Sequence, residues 1–304
     1  MRAFSFVIII SLICSCKNEN LSILLGEPTV FFSDSEFEKY EILKSEHIAV
    51  ISDSLFRPST ILVIDDKYLV ISDIAAKKAL HLYDALNDNY IMNFGERGFG
   101  PGEIQVPWKL YQPESNTVGV YDIEQNKTLE SDILSISLGM NDPKEIKLPA
   151  GVNSNGVTRI KERLFFFDSN NDDGRLFYYD MSEMRTQRIG TFPNFEKQYP
   201  QFSKSELREK IGFAKLVNRG SLFALSHYNV PLIQIYHADL DEWISIFGPD
   251  ELPAQNLLGK TVFYGSVFIS EKYIYKHTME ERIHSKIHQK PFIFSIIAVS
   301  YKKN

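Results

Sequence analysis

Cysteine is nearly absent from this chain of 304 residues: there are two, Cys14 and Cys16. Beyond Cys16 no thiol remains, which excludes a disulfide framework, a thiolate metal site and a cysteine nucleophile from the rest of the sequence. Long apolar runs are missing as well. The run from Ala3 to Ile13 falls short of the roughly 20 residues that cross a bilayer, and the run from Pro291 to Ser300 is shorter and reads as a strand. No stretch of Lys or Arg is dense enough to track a phosphate backbone. With a net charge of −6, nucleic acid is excluded as a partner. There is no G-x-S-x-G elbow for a serine hydrolase.

What is present begins at the N-terminus. Arg2 precedes the apolar run, and Ile13-Cys14-Ser15-Cys16 closes it, the order of a secretory signal. The closing residues look like a bacterial lipobox with Cys16 as the first mature residue. This predicts a signal peptide over residues 1–15 and a lipidated N-terminus and linker over 16–35. Several acyl chains on Cys16 give a stable membrane anchor where one chain would be marginal. Lys17 is not Asp, so nothing points to retention at the inner membrane, and the expected location is the outer membrane, facing the periplasm or the surface.

Periodicity dominates the remainder. Short apolar runs start at Leu69 (LVISD), Val118 (VGVYD), Leu164 (LFFFD), Leu222 (LFALS) and Tyr273 (YIYKH), at spacings of 49, 46, 58 and 51 residues. Each is rich in β-branched or aromatic residues and too short for a helix, so each reads as a buried strand. Second strands follow two of them, LHLYD and LFYYD, across polar turn segments. Asp at a strand end commonly accepts hydrogen bonds from turn amides. A unit of about 50 residues with three or four short strands predicts an all-β fold, a β-propeller of four-stranded antiparallel blades over residues 36–304. Ser203 to Val217 has helical composition with a cap at Ser203, and is expected as an insertion between blades.

The glycine-rich stretch FGERGFGPGEI, Phe94 to Ile104, fits neither a P-loop nor a dinucleotide fingerprint: no Gly-Lys-Ser/Thr follows, and Gly98, Gly100 and Gly102 fall at every second residue. Both it and FGPDELP (Phe247 to Pro253) follow a strand, and they share Phe-Gly, then Gly or Pro, then Glu, an apolar residue and Pro. This is the grammar of a connector between blades. With LVIDDKYLVISD and KALHLYD before it, the stretch resembles the six-bladed, TolB-like β-propeller lipoproteins of Bacteroidetes. The resemblance rests on Gly95, Gly98, Gly100, Pro101, Gly102 and Glu103, and is loose beyond residue 110. It implies a nominally six-bladed propeller in the cell envelope and supplies no reaction. KNEN after Cys16 is a partial match to the export tag of such lipoproteins. The tail, 278–304, lacks the blade pattern, so the last blade is expected to be incomplete. His47 to Ser52 (HIAVIS) is a candidate N-terminal strand for closing it.

Candidate chemistry is sparse. Asp168, Asp172 and Asp173 suggest a cation site, but the positions an EF-hand loop needs as Gly and Glu are Asp173 and Tyr179, so a polar turn is expected. His277, His284 and His288 lack the Glu of a zinc-protease motif, so no metal is expected. No cofactor is expected either. Arg97, Glu103 and Trp108 lie in or beside the connector and are ligand-binding candidates if it faces the central mouth. The plainer expectation is that Arg97 and Glu103 order the loop. The function expected is a binding or protein-interaction module for an unknown protein, peptide or glycan. The alternatives are a propeller lyase or hydrolase acting on a sugar or lactone, and a degenerate copy that binds nothing.

Overall fold

A computed structural model of the chain describes residues 27–31, 55–149, 154–168, 175–248, 250–263, 266–269, 274–277 and 294–297. The signal segment, Cys16, Asp172, Asp173, His284, His288 and HIAVIS lie outside them.

The chain is a β-propeller. Blade 1 comprises β2 (Pro58–Ile64), β3 (Tyr68–Asp73), β4 (Lys78–Asp84) and β5 (Asn89–Glu96). Blade 2 comprises β6 (Pro107–Tyr111), β7 (Thr117–Asp122), β8 (Lys127–Asp132) and β9 (Lys144–Lys147), with the short helix α1 (Ile133–Ser137) after β8. Blade 3 comprises β10 (Ser154–Ile160), β11 (Arg163–Asp168), β12 (Leu176–Asp180) and β13 (Arg185–Ile189). Helix α2 (Lys204–Ile211) leads to blade 4, made of β14 (Ala214–Arg219), β15 (Leu222–His227), β16 (Leu232–His237) and β17 (Glu242–Phe247). A fifth sheet has three strands among the described residues: β18 (Ser266–Ile269), β19 (Ile274–His277) and β20 (Phe294–Ile297). Within every sheet these strands pair antiparallel with their sequence neighbours. The first strands touch in sequence, β2 to β6 to β10 to β14 to β18, and so line the axis.

The expectation of six blades is therefore corrected: the described residues form four four-stranded blades plus the three-stranded sheet. The five recurrent runs are the second strands of these five sheets, and those of blades 2, 3 and 4 are covered by a neighbouring blade on both faces, which is why they are so apolar. The blade 1–blade 2 interface packs Ile64, Val70, Leu82 and Phe94 against Leu110, Val120 and Leu129. Between blades 3 and 4, Phe165, Phe167 and Leu176 meet Leu216, Phe223 and Leu225. Val267 of β18 joins Ile233, Ile235 and Ile246 of blade 4. Burying each such side chain contributes about 1.5–3 kcal/mol.

Turn chemistry sets the register. Asp65 and Asp66 both have positive φ, 49° and 53°, and Lys67 N–H bonds to the Ile64 carbonyl. This is the tight turn whose twist matches that of the paired strands. Helix α2 starts as expected: the Ser203 hydroxyl accepts from Glu206 N–H, and the Glu206 carboxylate accepts from Ser203 N–H. It ends at Ile211, earlier than Val217. Gly212 caps it, and Ala214, Leu216 and Val217 pair with β15 instead, where Ala214 and Leu216 fill the blade 3–blade 4 core.

β1 (Thr29–Phe31) adds to the outer edge of blade 4, parallel to β17, with Thr29 opposite Ser245. It lies within the segment read from sequence as a linker. Glu27, just before it, receives Arg175 Nη1 at 2.5 Å and Gln234 Nε2 at 3.1 Å, together with the Ser245 hydroxyl. The Arg175 guanidinium in turn stacks 4.3 Å over Trp243.

Candidate functional site

We take as the top of the propeller the end at which the first strand of each blade begins. Second strands end there, and the connectors between blades lie there. Asp73 closes β3 at this end, fully buried, and its carboxylate accepts four backbone N–H bonds, from Phe56, Arg57, Ala75 and Ala76. Asp122 closes β7 and accepts from Gln105, Val106, Glu124 and Gln125. The sequence offsets are the same in both blades: 17 and 16 residues upstream, 2 and 3 downstream. Burial pushes the Asp73 pKa up, and the four donors outweigh it, so the group titrates below the ordinary aspartate range. In blade 4 the same position is His227. Its Nε2 lies 3.0 Å from Gln234 Oε1, and its Nδ1 lies 3.5 Å from the carbonyl of Ile211, again 16 residues upstream.

Arg97 sits between the two buried aspartates. It donates to three backbone carbonyls: Ala76 at 3.2 Å, Asp73 at 2.6 Å, and Gln105. Burial lowers its pKa, while the charges of Asp73 and Asp122 oppose the shift. Glu103 folds back over the connector and accepts from Gly100 N–H at 2.8 Å. Gly98 has φ 156°, and a Cβ there would lie 2.0 Å from the Glu103 carboxylate, so only glycine leaves room for it. Lys127 and Glu145 close the loop from blade 2: Lys127 Nζ donates to the Gly100 carbonyl and to Glu145, which also accepts from Gly102 N–H. Arg97 and Glu103 thus order the loop. The glycines turn a chain and cradle their own glutamate.

Trp108 is placed differently. Pro107 pairs with Asp122 and Lys109 with Tyr121, so Trp108 is the extra residue of a β-bulge at the start of β6. Blades 1 and 3 carry the same bulge, at Ser59 and Asn155. Bulges re-aim side chains at strand ends, and Trp108 is 46% exposed. Other exposed aromatics stand at this end: Phe56 (75%), Phe99 (72%) and Phe213 (43%), the last edge-on to Tyr228 at 4.8 Å. At the opposite end, the exposed apolar side chains in the turns and around α1 are aliphatic: Leu86, Leu134, Leu138, Met184 and Leu240.

One step below the bulge, register brings equivalent residues into a layer around the axis. Thr60 pairs with Ser72, Lys109 with Tyr121, Gly156 with Phe167 and Lys215 with Ser226. Lys109 and Lys215 are both partly buried. The sequence reading missed this pair, since neither lysine belongs to a motif. The signal was positional and readable only once the register is known: Lys109 lies 13 residues ahead of Asp122 and Lys215 lies 12 ahead of His227, the difference being the bulge.

Of the other candidates, Asp172, Asp173, His284 and His288 lie outside the described residues. Asp168 ends β11 and His277 ends β19. Among the described residues no group of three or more His, Cys, Asp or Glu is disposed to hold a metal ion, and no helix is long and apolar enough to cross a membrane.

No protein-family model matches the sequence, and no curated protein matches it. Among solved structures the chain is similar to a DUF4221-family member from Bacteroides vulgatus, with 9% identity over 76% of this chain and 74% of that one, at a TM-score of 0.50. It is similar also to a protein described as exported from Bacteroides fragilis (11% identity, 90% of this chain and 99% of that one, TM-score 0.41). A third is the β-propeller domain of Swd1 from Myceliophteria thermophila (11% identity, 84% and 73%, TM-score 0.42). At these identities the likeness concerns the fold alone.

Proposed function

We propose that the chain is an outer-membrane lipoprotein, anchored through acylated Cys16, whose propeller is a binding module holding a protein, peptide or glycan across its top end. The observation that carries the reading is the gathering of exposed aromatics, Phe56, Phe99, Trp108 and Phe213, at one end of the axis, while among the described residues the large apolar side chains exposed in the turns of the other end are aliphatic. Exposed aromatic surface is costly to leave in water and is enriched where proteins bind. The lipobox-like N-terminus and the resemblance to Bacteroidetes lipoproteins support the location. In this reading Trp108 contacts the ligand, and Arg97 and Glu103 hold the connector that frames it.

The test is to screen the full chain, in detergent, against glycan and peptide arrays. A retained ligand that weakens about tenfold or more in Trp108→Ala supports the reading, as expected for loss of an aromatic anchor worth 2 kcal/mol or so, roughly. Retention indifferent to substitution at Trp108, Phe56 and Phe99 overturns it. Turnover of a bound sugar or lactone would make the protein an enzyme. Labelled fatty acid incorporated by the native chain and absent from Cys16→Ala tests the anchor.

A further inference from the structure

Blade 4 differs from blades 1 to 3 at its rim. Among the described residues it alone carries a fifth strand, β1, which runs parallel to β17. Side chains alternate along this segment as they must in a strand: Glu27, Thr29 and Phe31 are partly buried, while Pro28 and Val30 are exposed. The main-chain pairing is short, from Thr29 opposite Ser245 to Phe31 opposite Phe247, with Ser245 N–H donating to the Pro28 carbonyl at 2.9 Å. The side chains at the two ends are received in pockets built by other parts of the chain. Glu27 enters a pocket of three donors, Arg175, Gln234 and Ser245, each 2% exposed or less. Arg175 also bonds to the Thr191 carbonyl and stacks on the Trp243 ring, and Glu27 supplies its counter-charge. A buried guanidinium without a carboxylate is costly, so the pocket calls for an acidic side chain. Phe31 packs against the apolar cluster of Phe195, Tyr199, Leu207 and Phe247, its ring centroid 6.0 Å from that of Phe247.

We infer that the rim of blade 4 is a strand-receiving site, selective for an extended segment with an acidic side chain and an aromatic one four residues later, and that it takes Glu27 to Phe31 from a second copy of the chain as well as from its own. In such a site main-chain pairing supplies affinity and the alternate pockets supply selectivity. Exchange between copies keeps every contact of the segment, so the chain's own strand and its neighbour's differ only in tether and concentration. The short pairing leaves few bonds to break on the way. The site lies on the outer edge of the blade and does not rest on the exposed aromatics at the top.

The test uses two full-chain variants in detergent. Glu27→Gln with Phe31→Ala spoils the strand and leaves the pockets, whereas Arg175→Met spoils the acid pocket and leaves the strand. Each alone should be monomeric by light scattering, and an equimolar mixture should form a dimer. A mixture that stays monomeric overturns the exchange. The labelled peptide GEPTVFF, the chain's own sequence around Glu27, is then titrated into the strand-defective variant. Saturable binding is expected, weakened about tenfold or more when the Glu of the peptide is replaced by Gln or its first Phe by Ala. The native chain, whose own strand competes, should bind the peptide about tenfold or more weaker than the variant does. No saturable binding, or binding indifferent to both peptide changes, overturns the site. Circular dichroism separates loss of the site from loss of the fold. A strand variant that fails to fold is replaced by Glu27→Gln alone, and the peptide titration needs no pocket variant. Neither readout involves Trp108, so this site and the binding reading of the top end fail separately.

Discussion

Blade 2 ends its second strand with Asp122 and blade 4 ends its own with His227, and both side chains turn back toward the residue 16 positions upstream. In blade 2 that residue, Val106, belongs to an extended connector and offers an N–H. In blade 4 it is Ile211, the last residue of α2, and it offers a carbonyl, as the final turn of a helix must. A carboxylate only accepts and would repel a carbonyl; a neutral imidazole has one N–H, which it can turn to the Ile211 carbonyl from Nδ1 or to Gln234 Oε1 from Nε2. The insertion of a helix before blade 4 therefore reverses the polarity needed at the same point of the fold. It also changes what the position is connected to. Asp73 and Asp122 are held chiefly by backbone. His227 is linked through Gln234 to Glu27, and through Glu27 to Arg175, so blade 4 is tied by side chains to the segment that carries β1.

The largest effect is expected where the backbone depends on one carboxylate. Asp122→Ala leaves four buried or partly buried N–H groups without their acceptor and should cost about 4 kcal/mol in chemical denaturation. Asp73→Ala should cost a similar amount. A cost below about 1 kcal/mol in both would show that water replaces the carboxylates and that the position is not structural. Next comes Glu27→Ala, which leaves Arg175, buried against Trp243, without its carboxylate partner. The expected loss is about 3 kcal/mol, with amide exchange accelerated in β17, where β1 pairs, and unchanged in blade 1. Uniform acceleration would mean that Glu27 is not a local link.

Acid should separate blade 4 from blade 1, where Asp73 holds the position of Asp122. Burial holds the His227 pKa down at about 4. Below the ordinary histidine pKa of roughly 6.5 the unfolded chain takes up a proton that the folded chain refuses, so this contribution is present above pH 6.5 and is lost as pH falls toward 4. The full shift corresponds to no more than about 3 kcal/mol. Asp73, titrating below its ordinary range, keeps its contribution through this window and loses it only at lower pH. Stability measured between pH 7 and 4 should therefore slope in the native chain and slope less in His227→Gln, the remainder coming from His81, whose pKa burial also lowers.

How much of this was visible in the sequence follows from where water reaches. The second strands are dry on both faces, and LVISD, VGVYD, LFFFD and LFALS announced themselves by unbroken apolar character. The first strands are half wet along the axis, and PSTILVI, PWKLY and AKLVNR mix polar with apolar residues, so neither their bulges nor the layer holding Lys109 and Lys215 could be read before the pairing was known. The connector grammar was legible because glycine at positive φ has few substitutes. The three-carbonyl grip of Arg97 was not, since its acceptors are backbone atoms from two blades. The equivalence of His227 with Asp122 was hidden for the same reason that makes it instructive: chemical likeness was lost while position was kept.

The smallest effect probes the cause of the reversal. Ser203 caps α2, and its hydroxyl and the Glu206 carboxylate each satisfy a first-turn N–H. Ser203→Ala should cost about 1 kcal/mol. If α2 presents the Ile211 carbonyl to His227, loosening the helix loosens that contact too, and the Ser203→Ala and His227→Gln losses should fall short of additivity by about 0.5 kcal/mol or more. Paired with Asp122→Asn in blade 2, where the upstream residue is in a connector rather than a helix, Ser203→Ala should add without a remainder. Equal coupling in the two double mutants would mean that the helix does not set the polarity at His227, and that the imidazole is held by Gln234 alone.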